Sequence, residues 1–245
     1  VICGKRVLAV VPARAGSKGV PGKNIRTVGG RSMIARAAST LSALDWIDRR
    51  VISTDSAEYA DISRAAGLEV PFMRPAHLAR DDAGAVETIE HALLACESGS
   101  GVRYDIIVIV EPSSPLRRPS DIEACVRLLL EGGFDATLTV SRLDPKFHPR
   151  KILSVEGDRV APYLPGVAPV VNRQELGSGL VFRNGCAYAL TRRCLCELRK
   201  IVPENAGCVI TQRHVVNVDS ELEVEIADLV ERGGFGDEPT RGGEG

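Results

Sequence analysis

The chain has 245 residues, 44 % hydrophobic and 26 % charged, with 31 Lys plus Arg against 32 Asp plus Glu and a net charge of −1. That length suits one well-buried domain, and the even charge balance argues against a nucleic-acid-binding domain, which is usually clearly basic. No apolar run is long enough for a transmembrane helix, and seven cysteines without C-x-x-C spacing argue against a zinc site or disulfide framework and for a reducing, cytoplasmic compartment.

The opening stretch Val1 to Val11 is too short for a secretion signal and leads straight into a loop rich in Gly and Lys. Within it, Val7-Leu-Ala-Val-Val11 predicts a buried strand closed by Pro12. Ile34, Ala37, Ala38 and Leu41 recur at helical spacing behind Ser32, a candidate N-cap. Val51-Ile-Ser predicts a second strand, and Ala57 to Ala66 a helix stopped by Gly67. Val86, Ile89 and Leu93 mark another helix. Ile106 to Val110 is strongly strand-like.

Ser120-Asp-Ile-Glu123 has the form of a capping box, followed by Ile122, Cys125, Val126 and Leu129 on one helix face and a stop at Gly132-Gly133. Ala136 to Val140 predicts another strand. From 141 to 182 five prolines interrupt any long helix, which predicts an inserted arm. Cys186 to Leu190 and His214 to Val218 predict the last two strands. Ser220-Glu-Leu-Glu223 is a second capping box, opening a helix expected to turn Leu222, Ile226, Leu229 and Val230 inward. Residues 233–245 are Gly-rich and acidic and predict a flexible tail. The alternation gives an α/β fold: a Rossmann-like, mostly parallel sheet with helices on both faces.

The loop Pro12-Ala-Arg-Ala-Gly-Ser-Lys-Gly-Val-Pro-Gly-Lys-Asn24 spaces Arg14, Lys18 and Lys23 with Gly16, Gly19 and Gly22. Such a loop can wrap a polyphosphate, with backbone N–H groups and cations both facing it. The P-loop pattern fails, because Ser17 stands where the first glycine is required and Asn24 replaces the Ser/Thr. The dinucleotide pattern fails at Phe182.

This loop closely resembles the signature of CMP-sugar-acid synthetases, the acylneuraminate cytidylyltransferase family. Further blocks resemble that family in the same order: Ser53-Thr-Asp-Ser56, Phe72-Met-Arg-Pro-Ala-His-Leu-Ala-Arg-Asp81, Val110-Glu-Pro-Ser-Ser-Pro-Leu-Arg117, Asn172-Arg-Gln-Glu-Leu176, Arg183-Asn-Gly-Cys-Ala-Tyr188 and Val216-Asn-Val-Asp-Ser-Glu-Leu222. The resemblance implies a nucleotide-diphospho-sugar transferase type of fold over 1–232, with 141–182 as a dimerisation arm and a homodimer as the assembly. It implies CMP transfer from CTP to the anomeric hydroxyl of a 2-keto sugar acid, sialic acid or a related nonulosonate, with magnesium at the phosphates and pyrophosphate leaving.

Carried over residue by residue, the resemblance gives Arg14, Gly16, Ser17, Lys18, Lys23, Asn24, Arg74 and Ala83 to the nucleotide, with Arg14, Lys23 and Asp219 in catalytic roles. Asp219 and Asn217 would hold the metal. Glu111, Ser113, Ser114, Asn184 and Tyr188 would meet the sugar acid, and Arg173 would reach it from the arm of the same or a neighbouring subunit. Two positions depart from the pattern. Glu111 stands where the family usually has Gln, which suggests an acceptor carrying an amine. Asn217 replaces the first Asp of D-x-D, which weakens a metal held by both residues. The other readings are a cytidylyltransferase for legionaminate, pseudaminate, an octulosonate or a phosphonate, and a CTP-binding module without turnover.

Overall fold

The computed structural model describes residues 1–16, 19–166 and 179–233. Its centre is a six-stranded sheet ordered β10-β6-β9-β5-β1-β4. The strands are β1 (Val7–Pro12), β4 (Arg49–Ser53), β5 (Ile106–Ile109), β6 (Ala136–Arg142), β9 (Val181–Thr191) and β10 (Ala206–Ile210). Strand β1 runs parallel to β4 and β5, β10 runs parallel to β6, and β9 alone is antiparallel to its neighbours. Two short pairs stand apart: β2 (Thr27–Val28) with β3 (Arg31–Ser32), and β7 (Leu153–Glu156) with β8 (Arg159–Pro162).

Strand β1 is apolar throughout because both its faces are covered. Val7, Ala9 and Val11 join Ile34, Leu41, Ile122 and Val126 from α1 (Met33–Ser42) and α4 (Pro119–Gly132). Leu8 and Val10 join Ile89 and Leu93 from α3 (Ala85–Ser100). Helix α2 (Ala57–Ala65) covers the first face through Tyr59. Each fully buried aliphatic side chain contributes roughly 1.5–3 kcal/mol. Among the described residues no helix is long and apolar enough to cross a membrane.

Four expectations change. Residues 214–218 form no strand. The edge strand is instead β10, whose Gly207 and Cys208 interrupt the β-branched signal; a Cβ on Gly207 would lie 2.7 Å from the Phe134 ring, so packing selects the glycine. The segment from Thr211 to Asp219 crosses the strand ends, tied by Thr211 N–H to Val140 O and by Val218 N–H to Ser113 O (2.7 Å). Its Val218 packs with Val20, Val28, Met33 and Val224 below the sheet's edge.

Helix α4 starts two residues early, at Pro119, whose fixed φ suits a first helical position, and Asp121 rather than Glu123 reaches back to the Arg118 N–H (2.7 Å). Helix α5 (Glu221–Glu231) keeps its box, with Ser220 accepting from the Glu223 N–H. Its apolar face is the last correction. Val224 and Ala227 are buried, Val230 is half-buried, and Leu222, Ile226 and Leu229 are exposed. The helix docks through a narrow seam, fixed by Asp228 accepting from the Gly29 N–H and by Glu231 on Arg36. The 233–245 tail lies outside the described residues from 234 on.

Candidate active site

The parallel strands β1, β4 and β5 end at the same edge, at Pro12, Ser53 and Ile109, the edge where ligands bind in open α/β sheets. A cleft of about 450 Å³ opens there.

The Gly/Lys loop forms one wall. Asp55, from the loop after β4, accepts from the Ala15 N–H (2.9 Å), and the buried Asn24 amide donates to the Arg14 carbonyl (3.0 Å). Arg14 Nη1 donates to Asp81 Oδ1 (2.6 Å), and Lys23 Nζ to Asp219 Oδ1 (2.8 Å). Gly19 passes so close to the 211–219 segment that a Cβ would sit 2.7 Å from the Asp219 carbonyl oxygen. Two cations and two carboxylates thus face each other across one opening, each cation held ready by a carboxylate.

Arg74 is buried and donates to Ser53 Oγ (3.0 Å) and to the Ser53 carbonyl (2.5 Å). Burial pulls its pKa down to about 10, against the pull of Asp55, so it stays charged at neutral pH. With Leu78, Arg80, Ala83, Ala85 and Thr88 it lines the end of the cleft away from β9.

The opposite wall comes from β5 and β9. The Arg117 guanidinium, buried beneath it, donates to the carbonyls of Cys186 (2.8 Å) and Glu111, and so ties the loop after β5 to β9. Gly185, at φ +71°, breaks the strand's alternation. A Cβ there would lie 2.7 Å from Glu111 Oε2 and 2.7 Å from Ser114 Oγ. Glu111 lines the cleft with Ser113 and Tyr188. Burial raises its pKa above the usual carboxylate value, with Arg117, Arg183 and Lys23 opposing and Asp219 adding. Burial, with Glu111 adding, pushes the Tyr188 phenol up to about 12.

With this geometry in view the comparisons decide the family. The cytidylyltransferase family model matches residues 8–154. The chain belongs to the cytidylyltransferase family. It is 33 % identical over 65 % of its length to the CMP-N,N'-diacetyllegionaminic acid synthase of Legionella pneumophila, covering 68 % of that protein. It is 30 % identical to the post-translational flagellin modification protein B of Campylobacter coli, over 91 % of this chain and 94 % of that one. In fold it is similar to a CMP:2-keto-3-deoxy-manno-octonic acid synthetase solved with CTP, at TM-score 0.67 and 16 % identity, over 94 % of this chain and all of that one.

In this cytidylyltransferase the cleft gathers Arg14, Lys23, Asn24, Arg74, Ala83, Glu111, Ser113, Tyr188, Asn217 and Asp219 from the sequence expectation. Ser17, Lys18 and Arg173 lie outside the described residues. Gly16 is on the loop but not in the lining. Ser114 and Asn184 are turned inward instead. Ser114 Oγ donates to the Asn184 carbonyl (2.8 Å). Asn184 Oδ1 accepts from Thr139 Oγ1 (2.6 Å) and the Cys186 N–H (3.2 Å), while Nδ2 donates to Ser141 Oγ (3.0 Å) and Thr211 Oγ1 (2.8 Å). All four of its bonding positions are used inside the protein. Sequence reasoning missed Asp81, Arg80, Thr88 and Ile201 as lining residues. Asp81 carried a signal, since it closes the Phe72 to Asp81 block.

The metal expectation meets one positive observation. Asn217 Oδ1 is buried with no hydrogen-bond partner, and Asn217 lines the cleft with Asp219. A buried carbonyl oxygen left without a donor suits a cation. Among the described residues no group of three or more His, Cys, Asp or Glu could hold a metal alone. Asp219 and Asn217 offer a carboxylate and a carbonyl oxygen, hard donors of the kind magnesium takes beside phosphate and water.

Proposed function

We propose that the protein transfers CMP from CTP to the anomeric hydroxyl of a nonulosonate, an acidic nine-carbon sugar, releasing pyrophosphate. The observation that carries this reading is the opposition of Lys23 and Arg14 to Asp219 and Asn217 across one cleft, in a chain of the cytidylyltransferase family. The name of the Legionella relative supports a sugar acid as acceptor.

Both reactants are anions, so the chain must neutralise charge and align them. Lys23 and Arg14 exchange their carboxylate partners for phosphate oxygens as the triphosphate enters, and they stabilise charge on the departing pyrophosphate. Asp219, released by Lys23, and Asn217 would hold magnesium, which supplies Lewis-acid neutralisation of the phosphates. The Arg74 end takes the cytosine. Ser113 and Tyr188 face the acceptor.

The wider reading includes a homodimer and a cytoplasmic setting. The β7–β8 pair is exposed on both faces, with Leu153, Val155, Val160 and Tyr163 uncovered, which supports this arm as the surface that meets a second copy. All seven cysteines are free thiols, which suits a reducing compartment. The test of function is pyrophosphate release from CTP and magnesium with a panel of nonulosonates, an octulosonate and a phosphonate. Turnover with a nonulosonate and not with the others is expected. CTP binding without turnover on any acceptor would make the protein a binding module.

A further inference from the structure

The anomeric hydroxyl must lose its proton as its oxygen attacks phosphorus, and among the described residues four titratable side chains with an acidic proton or carboxylate line the cleft: Asp81, Glu111, Tyr188 and Asp219. Asp219 would turn to magnesium once Lys23 takes phosphate, and Asp81 lies with Leu78, Arg80 and Ala83 on the wall away from β9 and the acceptor. Tyr188 keeps its proton at neutral pH, since its pKa is pushed up to about 12. Glu111 is different: no described residue donates a hydrogen bond to its carboxylate, and the backbone of β9 is shaped around it. Gly185 holds φ +71°, and any larger residue would place a Cβ 2.7 Å from Glu111 Oε2. Glu111 also sits between the two halves of the reaction. Its charge is felt by Lys23 and Asp219 on the phosphate side and by Tyr188 on the acceptor side.

We propose that the Glu111 carboxylate is the proton acceptor for the attacking hydroxyl. The proposal rests on the cytidylyl-transfer reading above. In the step, the acceptor O–H proton passes to a Glu111 oxygen while the hydroxyl oxygen bonds to the α-phosphorus. The bond from that phosphorus to the bridging oxygen breaks, and its electron pair leaves on pyrophosphate. The proton returns to water before the next turnover.

The sequence suggested another use for this carboxylate, recognition of an amine on the acceptor. The surroundings speak against it. Among the described residues Arg117 from the same loop, Arg183 from β9 and Lys23 from the phosphate loop exert their positive charge on Glu111, and Asp219 from the 211–219 segment adds negative charge; Tyr188 and the Cys186 thiol beside it are neutral at neutral pH. An ammonium placed there would meet three cations. A neutral hydroxyl brings no such penalty and needs somewhere to send its proton. The raised proton affinity of Glu111 suits that task, because a base works best when its pKa approaches the working pH.

The test compares wild type with Glu111→Gln and Glu111→Asp, using pyrophosphate release with saturating CTP, magnesium and the best acceptor as pH falls from neutral to the lowest value at which the protein stays folded. Glu111→Gln should lose about 10²–10⁴-fold in kcat, should keep CTP binding by calorimetry, and should lose the acid limb that wild type shows as pH falls through the Glu111 pKa. Glu111→Asp should recover part of the rate. A Glu111→Gln enzyme within fivefold of wild type, or one whose acid limb persists as a triphosphate-set limb would, overturns the proposal. So does a loss confined to amine-bearing acceptors, which would restore the recognition role. If wild type itself releases no pyrophosphate with any acceptor, the functional reading fails instead.

Discussion

Replacing Asn184 by Ala separates a structural role from a substrate-binding one. The amide joins β9 to Thr139 and Ser141 of β6 and to Thr211 of the crossing segment. After its removal Thr139 Oγ1 still reaches the Ala187 carbonyl (3.3 Å), and Ser141 and Thr211 keep each other (3.1 Å). The buried Cys186 N–H loses its Asn184 Oδ1 acceptor. An unsatisfied buried donor costs about 1–3 kcal/mol, and the void left by the amide adds to it, so the expected loss is roughly 2–4 kcal/mol. That is a large share of a typical total of about 5–15 kcal/mol. In urea titration it should lower the midpoint by about 1 M, given slopes of about 1–3 kcal/mol per M. The acceptor KM of the surviving native enzyme should move less than threefold. An unchanged midpoint with a tenfold or greater rise in acceptor KM would refute the reasoning and restore Asn184 as a substrate ligand.

Three further outcomes are expected. Asn217→Asp places a charge where a buried carbonyl oxygen now lacks a donor, so the magnesium concentration for half-maximal rate should fall several-fold; a magnesium titration showing no change would make Asn217 a bystander. Gly19→Ala drives a Cβ to within 2.7 Å of the Asp219 carbonyl and should raise the Kd for CTP at least tenfold by calorimetry, with the melting temperature shifted by only a few degrees. Val155→Asp with Val160→Asp puts charge on the exposed arm and should convert a dimer to a monomer in light scattering; a wild-type monomer at micromolar concentration would count against the assembly.

Much of the fold is legible in the chain because burial on both faces forces continuous apolar runs, as in Val7 to Val11 and Ile106 to Val110. The edge is less legible. In β10 the glycine selected by Phe134 erases the strand signal, while 214–218 carries valines for a small cluster below the sheet and imitates a strand. Helix α5 shows the limit of periodicity: it has two apolar faces, and the sequence does not say that the small residue Ala227, not Leu222 or Ile226, meets the protein. The site was readable where side chains follow a fixed loop, as with Arg14, Lys23 and Asp219. It was not readable at Asn184, which turns inward to Thr139, Ser141, Thr211 and the Cys186 N–H beside Gly185 and its positive φ.

The most direct measurement is a crystal structure with CTP and magnesium bound. The account predicts the triphosphate lying between Lys23 and Asp219, the base at Arg74 and the α-phosphorus open toward Glu111. Nucleotide density elsewhere, with the Lys23–Asp219 pair still closed, would contradict it.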